Sequence, residues 1–207
     1  MAFLKHFFLA GGVFMIPMVI CSVIGLAIII ERTIALMRRR VISDEMVATA
    51  QDFRAGGDVQ ALHAAAVRDG TVFSRVLQTA LSHLDSPKAD TIDALQVRAR
   101  AEAAQLERGL VTLEIIVGVA PLLGLLGTVS GLIRVFAEFG RGGESIAEAV
   151  GIAAGIAEAL NMTVAGLVVA IPALIFHAYY TKRVEHYMSE MEGLCLDLVA
   201  KLYRQHG

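Results

Sequence analysis

The chain has 207 residues, of which 56% are hydrophobic, and its mean hydropathy is +0.64. This composition is too apolar for an ordinary soluble domain and indicates a membrane protein. A formal net charge of −2 argues against an extended basic surface, so we expect no nucleic-acid partner. The two cysteines, Cys21 and Cys195, show neither disulfide nor metal-ligand spacing, and we expect no metal site and no cofactor.

The first apolar run covers residues 7–30, contains no charged residue, and is long enough to cross a bilayer, which takes ~20 residues. No small-residue cleavage site follows it, so we predict an uncleaved transmembrane helix over about 7–30 rather than a signal peptide. The basic cluster Arg38-Arg39-Arg40 comes next and marks the cytoplasmic side. The N-terminus is therefore predicted on the outer side of the membrane.

Residues 38–108 contain charges throughout and no spanning run, which predicts a cytoplasmic helical segment. Ser43 and Asp58 are suited to cap the N-termini of short helices, and Gly70 is suited to end one. From Lys88 onward no helix breaker is apparent before Pro121. We therefore predict that the helix of the second span begins well inside this segment and continues straight into the bilayer.

Two further spans are predicted at about 110–135 and 155–181, joined by a short outer loop at about 137–147. Lys182 and Arg183 place the exit of the third span in the cytoplasm, with Tyr179 and Tyr180 as interfacial aromatics. An amphipathic cytoplasmic helix over about 182–204 follows. The predicted fold is an all-α membrane protein with three transmembrane helices, long cytoplasmic extensions and short cytoplasmic helices.

Small residues of the second span recur on one helical face. Gly124 is followed by Gly127, Thr128 and Gly131 at offsets of three, four and seven. Small residues let helices approach closely in lipid, where packing replaces the hydrophobic driving force. We expect these glycines, together with Gly166 of the third span, to serve helix packing. The Thr128 hydroxyl has the alternative of bonding a carbonyl of its own helix.

Glu158 is a carboxylate at the start of the third span, where burial in hydrocarbon is costly and usually functional. The alternative is a solvated position at the headgroup boundary. Counting from the turn places Thr128 and Glu158 at similar depth in the outer half of the membrane. Thr163 is expected to lie deeper, about 140° around the helix from Glu158.

Three functional classes remain to be weighed: an ion-channel or motor subunit, a structural scaffold, and an intramembrane enzyme. An enzyme would need a nucleophile and a base about 3 Å apart. The only tempting pair, Ser130 and His177, is predicted at opposite sides of the membrane, so we expect no enzyme. No Asp or Lys lies deep in any span, so a complete proton relay would need a titratable group from another chain.

Three strings carry a resemblance: AIIIERTIAL at 27–36, APLLGLLGTVSGLI at 120–133 and GIAEALNMTVAGLVVAIPA at 155–173. Together they resemble the MotA/TolQ/ExbB proton-channel family, specifically its TolQ/ExbB branch and most closely ExbB-like members. The three-span layout, with a large cytoplasmic and a small outer loop, is similar too. Asn161 and Met162 depart from the family pattern, which has small or apolar residues there.

The resemblance implies a homopentamer in the bacterial inner membrane, with a lumen that holds a dimer of a single-span ExbD/TolR-like protein. It implies that Thr128, Thr163 and Glu158 line the ion pathway and that Pro121 and Pro172 are the helix-kinking prolines. The implied role is coupling of the proton-motive force to envelope work, as in ExbB-type energisation of outer-membrane transport. TolQ-like envelope maintenance, a gliding-type motor and a purely structural scaffold remain alternatives.

Overall fold

The computed structural model describes residues 12–54, 57–139 and 146–204, and these residues form helices and no strand. A 3-10 turn at Gly12–Phe14 precedes the first α-helix. The α-helices, in chain order, are α1 (Met15–Ala35), α2 (Arg38–Val41), α3 (Asp44–Asp52), α4 (Val59–Asp69), α5 (Val72–Ser82), α6 (Lys88–Leu106), α7 (Leu110–Phe139) and α8 (Ile146–Tyr203).

Local capping explains where the short helices begin and end. The Ser43 side chain accepts a hydrogen bond from the backbone N–H of Met46 at the start of α3. Asp58 accepts from two backbone N–H groups at the start of α4, and Gly70 ends that helix with a φ of 65°. All three roles match the sequence predictions, because a cap depends on residue type at one position and little on distant packing.

Three helices are long and apolar enough to cross a membrane: Met15–Ala35, Leu110–Ala137 and Val150–Tyr203. The predicted all-α fold with three candidate spans is thus confirmed. The boundaries differ in detail, because α7 continues to Phe139 and α8 begins at Ile146, inside the predicted outer loop of 137–147. The start of the predicted first span, at residue 7, and the centre of that loop lie outside the described residues.

The prediction of one unbroken helix from Lys88 into the second span is wrong. Helix α6 ends at Leu106 and α7 begins at Leu110. Gly109 between them has a φ of 89°, a left-handed conformation that glycine adopts without strain. The backbone N–H of Leu113 then bonds to the carbonyl of Gly109, which starts the new helix. By contrast, α8 runs without a break through the predicted third span and the predicted C-terminal helix.

The chain divides into two compact units, Met1–Ile30 with Gly109–Ala178 and Glu31–Arg108 with Tyr179–Gly207. In the first unit most apolar side chains remain exposed, and only 17–33% of the residues in the three apolar windows are buried. Exposed apolar surface on this scale indicates contact with lipid or with other protein chains. The described residues of the first unit therefore have the surface of a membrane-embedded helical layer.

The second unit has a hydrophobic core like that of a soluble helical domain. Its fully buried side chains come from both of its sequence segments, and the largest include Tyr180, Phe73, Leu36, Ile42, Leu77, Leu95, Met191, Leu198 and Leu202. Arg38 joins the two segments through paired hydrogen bonds of 3.0 and 2.8 Å to the carboxylate of Glu190. These bonds, together with one to Asp44, raise the pKa of Arg38, so its charge is permanent.

Glu102 is a buried carboxylate that two guanidiniums share. Arg75 of α5 donates to both of its oxygens at 3.0 and 2.6 Å, and Arg98 lies 2.6 Å from Oε1. Hydrogen bonds from Arg75 lower the pKa of Glu102, with further attraction from both arginines. Because the Glu102 side chain is only 1% exposed, the carboxylate depends on these partners and fixes α5 against α6.

We expect Glu102→Gln to lower the free energy of unfolding of the full-length protein by about 1–3 kcal/mol at neutral pH, measured by chemical denaturation in detergent. The lowered pKa gives a contribution that is complete above the ordinary carboxyl pKa of 4.5 and is lost as the pH falls through the folded-state value. The difference between the wild type and the variant should therefore shrink below pH 4.5. Glu107→Gln is the matched control, because Glu107 is exposed just beyond the end of α6. Equal stability of the wild type and Glu102→Gln at neutral pH would contradict the prediction.

Candidate functional site

Helices α7 and α8 form an antiparallel hairpin whose backbones approach closely at glycines. A Cβ atom built on Gly124 would lie 2.8 Å from the carbonyl oxygen of Met162 and 3.1 Å from the Cα of Thr163. A Cβ on Gly166 would lie 2.6 Å from the carbonyl oxygen of Ala120. Real Cβ atoms do not approach backbone atoms this closely, so only glycine fits at these two positions without moving a helix.

Gly131 fits against the second helix in the same way, since its Cβ would lie 2.8 Å from that of Ala159. Gly127 is covered by the side chain of Met162, three of whose carbons would be 3.0–3.1 Å away. A further contact was not predicted from the sequence: a Cβ on Gly155 would lie 2.5 Å from the side chain of Val135. The rule that small residues mark close helix approach could have found it, because Gly155 is four residues before Ala159.

These contacts define which residues of the two helices lie opposite each other. Ala159 is opposite Gly131 and Gly155 is opposite Val135. Farther from the connection, Gly124 is opposite Met162 and Thr163, and Gly166 is opposite Ala120. By the helix rise, these pairings place Glu158 between the level of Thr128 and about 6 Å from it toward the connection, and Thr163 about 2–8 Å on the other side. The expected similar depth of Thr128 and Glu158, with Thr163 farther from the connection, therefore stays a prediction.

Thr128 is buried, with 6% of its surface exposed, and its hydroxyl donates to the carbonyl of Leu125 at 2.7 Å. The alternative weighed for this residue, a bond to its own helix, is therefore present. The hydroxyl oxygen keeps acceptor capacity after this donation. Thr163 is half-buried, and its backbone lies against Gly124.

The surface of α8 that α7 leaves uncovered has two different stripes. The first, here called the polar stripe, is exposed and contains two polar residues, Glu158 and Asn161, with Ala154 one turn before Glu158 on the same side. The second, the aliphatic stripe, is exposed on another side of the helix and consists of Leu160, Val164, Leu167, Ile171 and Leu174. An aliphatic stripe suits lipid or apolar protein, whereas a carboxylate and an amide need water or polar partners.

Pro121 lies inside α7 and Pro172 inside α8, and both helices continue past them.

The register also addresses the intramembrane-enzyme hypothesis. His177 lies near the level of the first turn of α7, so it is about 27 Å along the helix axis from Ser130 by the rise per residue. A nucleophile and a base need hydrogen-bonding distance, so this pair cannot act together within one chain.

The three candidate spans, the glycine-lined hairpin and the polar stripe define a multi-pass helical membrane protein with polar groups exposed within an apolar span. A model of the MotA/TolQ/ExbB proton channel family matches residues 68–193, more than half of the chain. The chain belongs to this family. Its members are channel proteins rather than enzymes, as the sequence predicted.

Named relatives agree with this assignment. Two Synechocystis proteins named as ExbB-like biopolymer transport proteins, numbers 1 and 3, are 40% and 35% identical to this chain, and each alignment covers 81% of it. The alignments cover 66% and 80% of those two proteins. The biopolymer transport protein ExbB of Neisseria gonorrhoeae is 33% identical over 54% of this chain and 51% of its own length.

We expect Gly124→Ala to destabilise the hairpin by about 1–3 kcal/mol, the usual cost of overpacking, because the new methyl group would meet backbone of α8. The measurement is thermal unfolding of the purified protein in detergent. Gly118→Ala is the matched control, since it makes the same change in the same helix where a Cβ would meet nothing within 4 Å. Alanine favours helix over glycine, so the control should be neutral or stabilising. An equal effect of both substitutions would show that close approach at Gly124 is not what matters.

Proposed function

We propose that the chain is the ExbB-like subunit of a proton-driven motor complex of the bacterial inner membrane. In this proposal it couples the proton-motive force to work in the cell envelope, together with an ExbD/TolR-like single-span partner. The observation that carries the proposal is the polar stripe of α8, where Glu158 and Asn161 are exposed within a candidate span. Such groups at membrane depth are expensive unless they face water or polar protein.

The close packing of the hairpin supports a pathway role for this stripe. Backbone contact at Gly124, Gly131 and Gly166 fixes which residues of α8 are left uncovered. In the same interface the backbone of Thr163 lies against Gly124, about one helical turn from Thr128. We propose Thr128, Thr163 and Glu158 as the lining of the ion pathway, with Pro121 and Pro172 as points where the two helices can bend.

A partner chain is inferred because this chain lacks a titratable group in the middle of its spans. The three apolar runs contain no Asp and no Lys, and their carboxylates, Glu114 and Glu158, lie near the start of a run, so the chain lacks a group in the middle of a span that could bind and release a proton repeatedly. A single-span protein that carries a carboxylate in its membrane helix would supply it. The proposed assembly is a homopentamer around a dimer of that partner, in which exposed apolar faces of neighbouring copies cover one another.

The proposed orientation has the N-terminus in the periplasm and the C-terminus in the cytoplasm, because Arg38–Arg40 and Lys182–Arg183 follow the first and third spans. The names of the relatives favour biopolymer transport of the ExbB type over TolQ-like or gliding-type work. The glycine contacts alone would also suit a structural scaffold, so the decisive experiment has to separate transport from assembly.

We expect Glu158→Gln and Thr163→Val to reduce proton flux through proteoliposomes that contain the complex with its partner to near the level of empty vesicles. Both changes nearly preserve volume, so the oligomer should form normally, as measured by native mass spectrometry. Leu160→Met on the aliphatic stripe, which also nearly preserves volume, is the control and should retain flux. Normal flux in both polar-site variants would refute the channel role and favour the scaffold.

A further inference from the structure

The second unit contains a cavity whose lining residues have no part in the proposed motor function. It has a volume of about 390 Å³ and is lined by Arg38, Tyr179, Lys182, Arg183, His186 and Tyr187. Five of these six residues come from one stretch of α8, and Arg38 comes from the segment that follows α1. The lining therefore combines three permanent cations and a histidine with two tyrosine rings, and contains no carboxylate.

Arg183 is held in place by neighbours that leave part of its guanidinium available. Its Nε donates to the carbonyl of Leu36 at 3.0 Å and to the hydroxyl of Tyr187 at 2.9 Å, and its Nη1 donates to the hydroxyl of Tyr179. Its guanidinium carbon lies 5.7 and 5.5 Å from the ring centres of Tyr179 and Tyr187. A guanidinium has five N–H groups, so donors remain for a further anion. Little side-chain entropy would be lost on binding, because the group is already ordered.

The other basic residues of the cavity differ in how strongly they are held by neighbouring carboxylates. Arg38 is engaged by Glu190 and Asp44, so it contributes structure more than free charge. Lys182 is paired with Glu185 at 2.7 Å, but its side chain is 81% exposed. Because an exposed ion pair contributes little stability, Lys182 can bind another anion in place of Glu185. His186 is exposed and lies 4.0 Å from Glu190. Lys182 and Arg183 are therefore the two residues free to bind an anion.

We propose that this cavity binds the headgroup phosphate of an anionic phospholipid in the cytoplasmic leaflet. Arg183 and Lys182 would bind the phosphate oxygens, and the exposed ring of Tyr179 would contact the glycerol and the first carbons of the chains. Tyr187 is buried and holds Arg183 in position. The source of the phosphate follows from chain order, because Tyr179 comes directly after the last residue of the membrane-embedded unit. Tyrosines and basic residues at the end of a span are the groups that contact lipid headgroups.

The test uses the full-length protein in detergent, titrated with phosphatidylglycerol or with phosphatidylcholine of the same acyl chains. Retained lipid is counted by native mass spectrometry, and thermal stability is recorded in parallel. Phosphatidylglycerol should bind and stabilise, and phosphatidylcholine should not. The double variant Lys182→Gln/Arg183→Gln should weaken phosphatidylglycerol binding by about tenfold or more, as expected for two basic residues that contact an anionic lipid.

The matched control is Arg39→Gln/Arg40→Gln, which removes the same charge from an exposed part of the same basic region outside the cavity. It should weaken binding by about twofold or less, since general attraction alone would be affected. An equal loss in both double variants would show non-specific attraction and overturn the proposal.

Two further experiments test the role of Lys182 alone and the source of the phosphate. Lys182→Gln alone leaves every bond of Arg183 intact and should weaken binding by about threefold to fivefold; unchanged binding in this variant would overturn the proposal. Sodium phosphate in place of lipid should stabilise the wild-type protein far less than phosphatidylglycerol does. Equal stabilisation by inorganic phosphate, lost in the same double variant, would make a soluble phosphate the ligand and overturn the lipid assignment.

Discussion

The close approach of α7 and α8 is the constraint on which the candidate site depends. In lipid there is no hydrophobic force to press two apolar helices together, so close packing must supply the attraction. Gly124, Gly131 and Gly166 provide it by removing side chains where backbone or Cβ atoms of the other helix lie. The same contacts decide the rotation of α8 about its axis, and therefore which of its residues remain uncovered. The exposure of Glu158 and Asn161 is thus a consequence of glycines on other turns of the hairpin.

The sequence predicted features that depend on local chemistry. Caps at Ser43 and Asp58 and the stop at Gly70 follow from the preferences of single residues, and three apolar runs of sufficient length predict three spans. Gly109 was missed because a lone glycine is tolerated within a helix, and its left-handed φ becomes known only from the structure. The register of α7 against α8 could not be predicted, because it depends on contacts between the helices, such as that of Gly127 with Met162.

The two units obtain their stability in different ways. The first leaves most of its apolar side chains exposed and relies on backbone proximity at small residues. The second buries large side chains and satisfies a buried carboxylate, Glu102, with two guanidiniums. Pairs such as Arg75 with Glu102 join residues far apart in sequence, so no local sequence pattern predicts them. Ion pairs and hydrophobic burial predominate where water is the alternative environment, and packing predominates where lipid is.

The carbonyl of Leu36, just past the end of α1, accepts hydrogen bonds from both Arg183 and Tyr187. The donors are synthesised much later than the acceptor, since Leu36 and Arg183 are 147 residues apart. At a synthesis rate of about 5–20 residues per second, roughly 7–30 s pass before the donors of this carbonyl emerge. Until then the helices α2–α6 lack the part of their core that Tyr180 to Leu202 provides. A chain truncated before this point therefore leaves apolar surface of α2–α6 uncovered, so the second unit can complete its core only when synthesis of α8 is nearly finished.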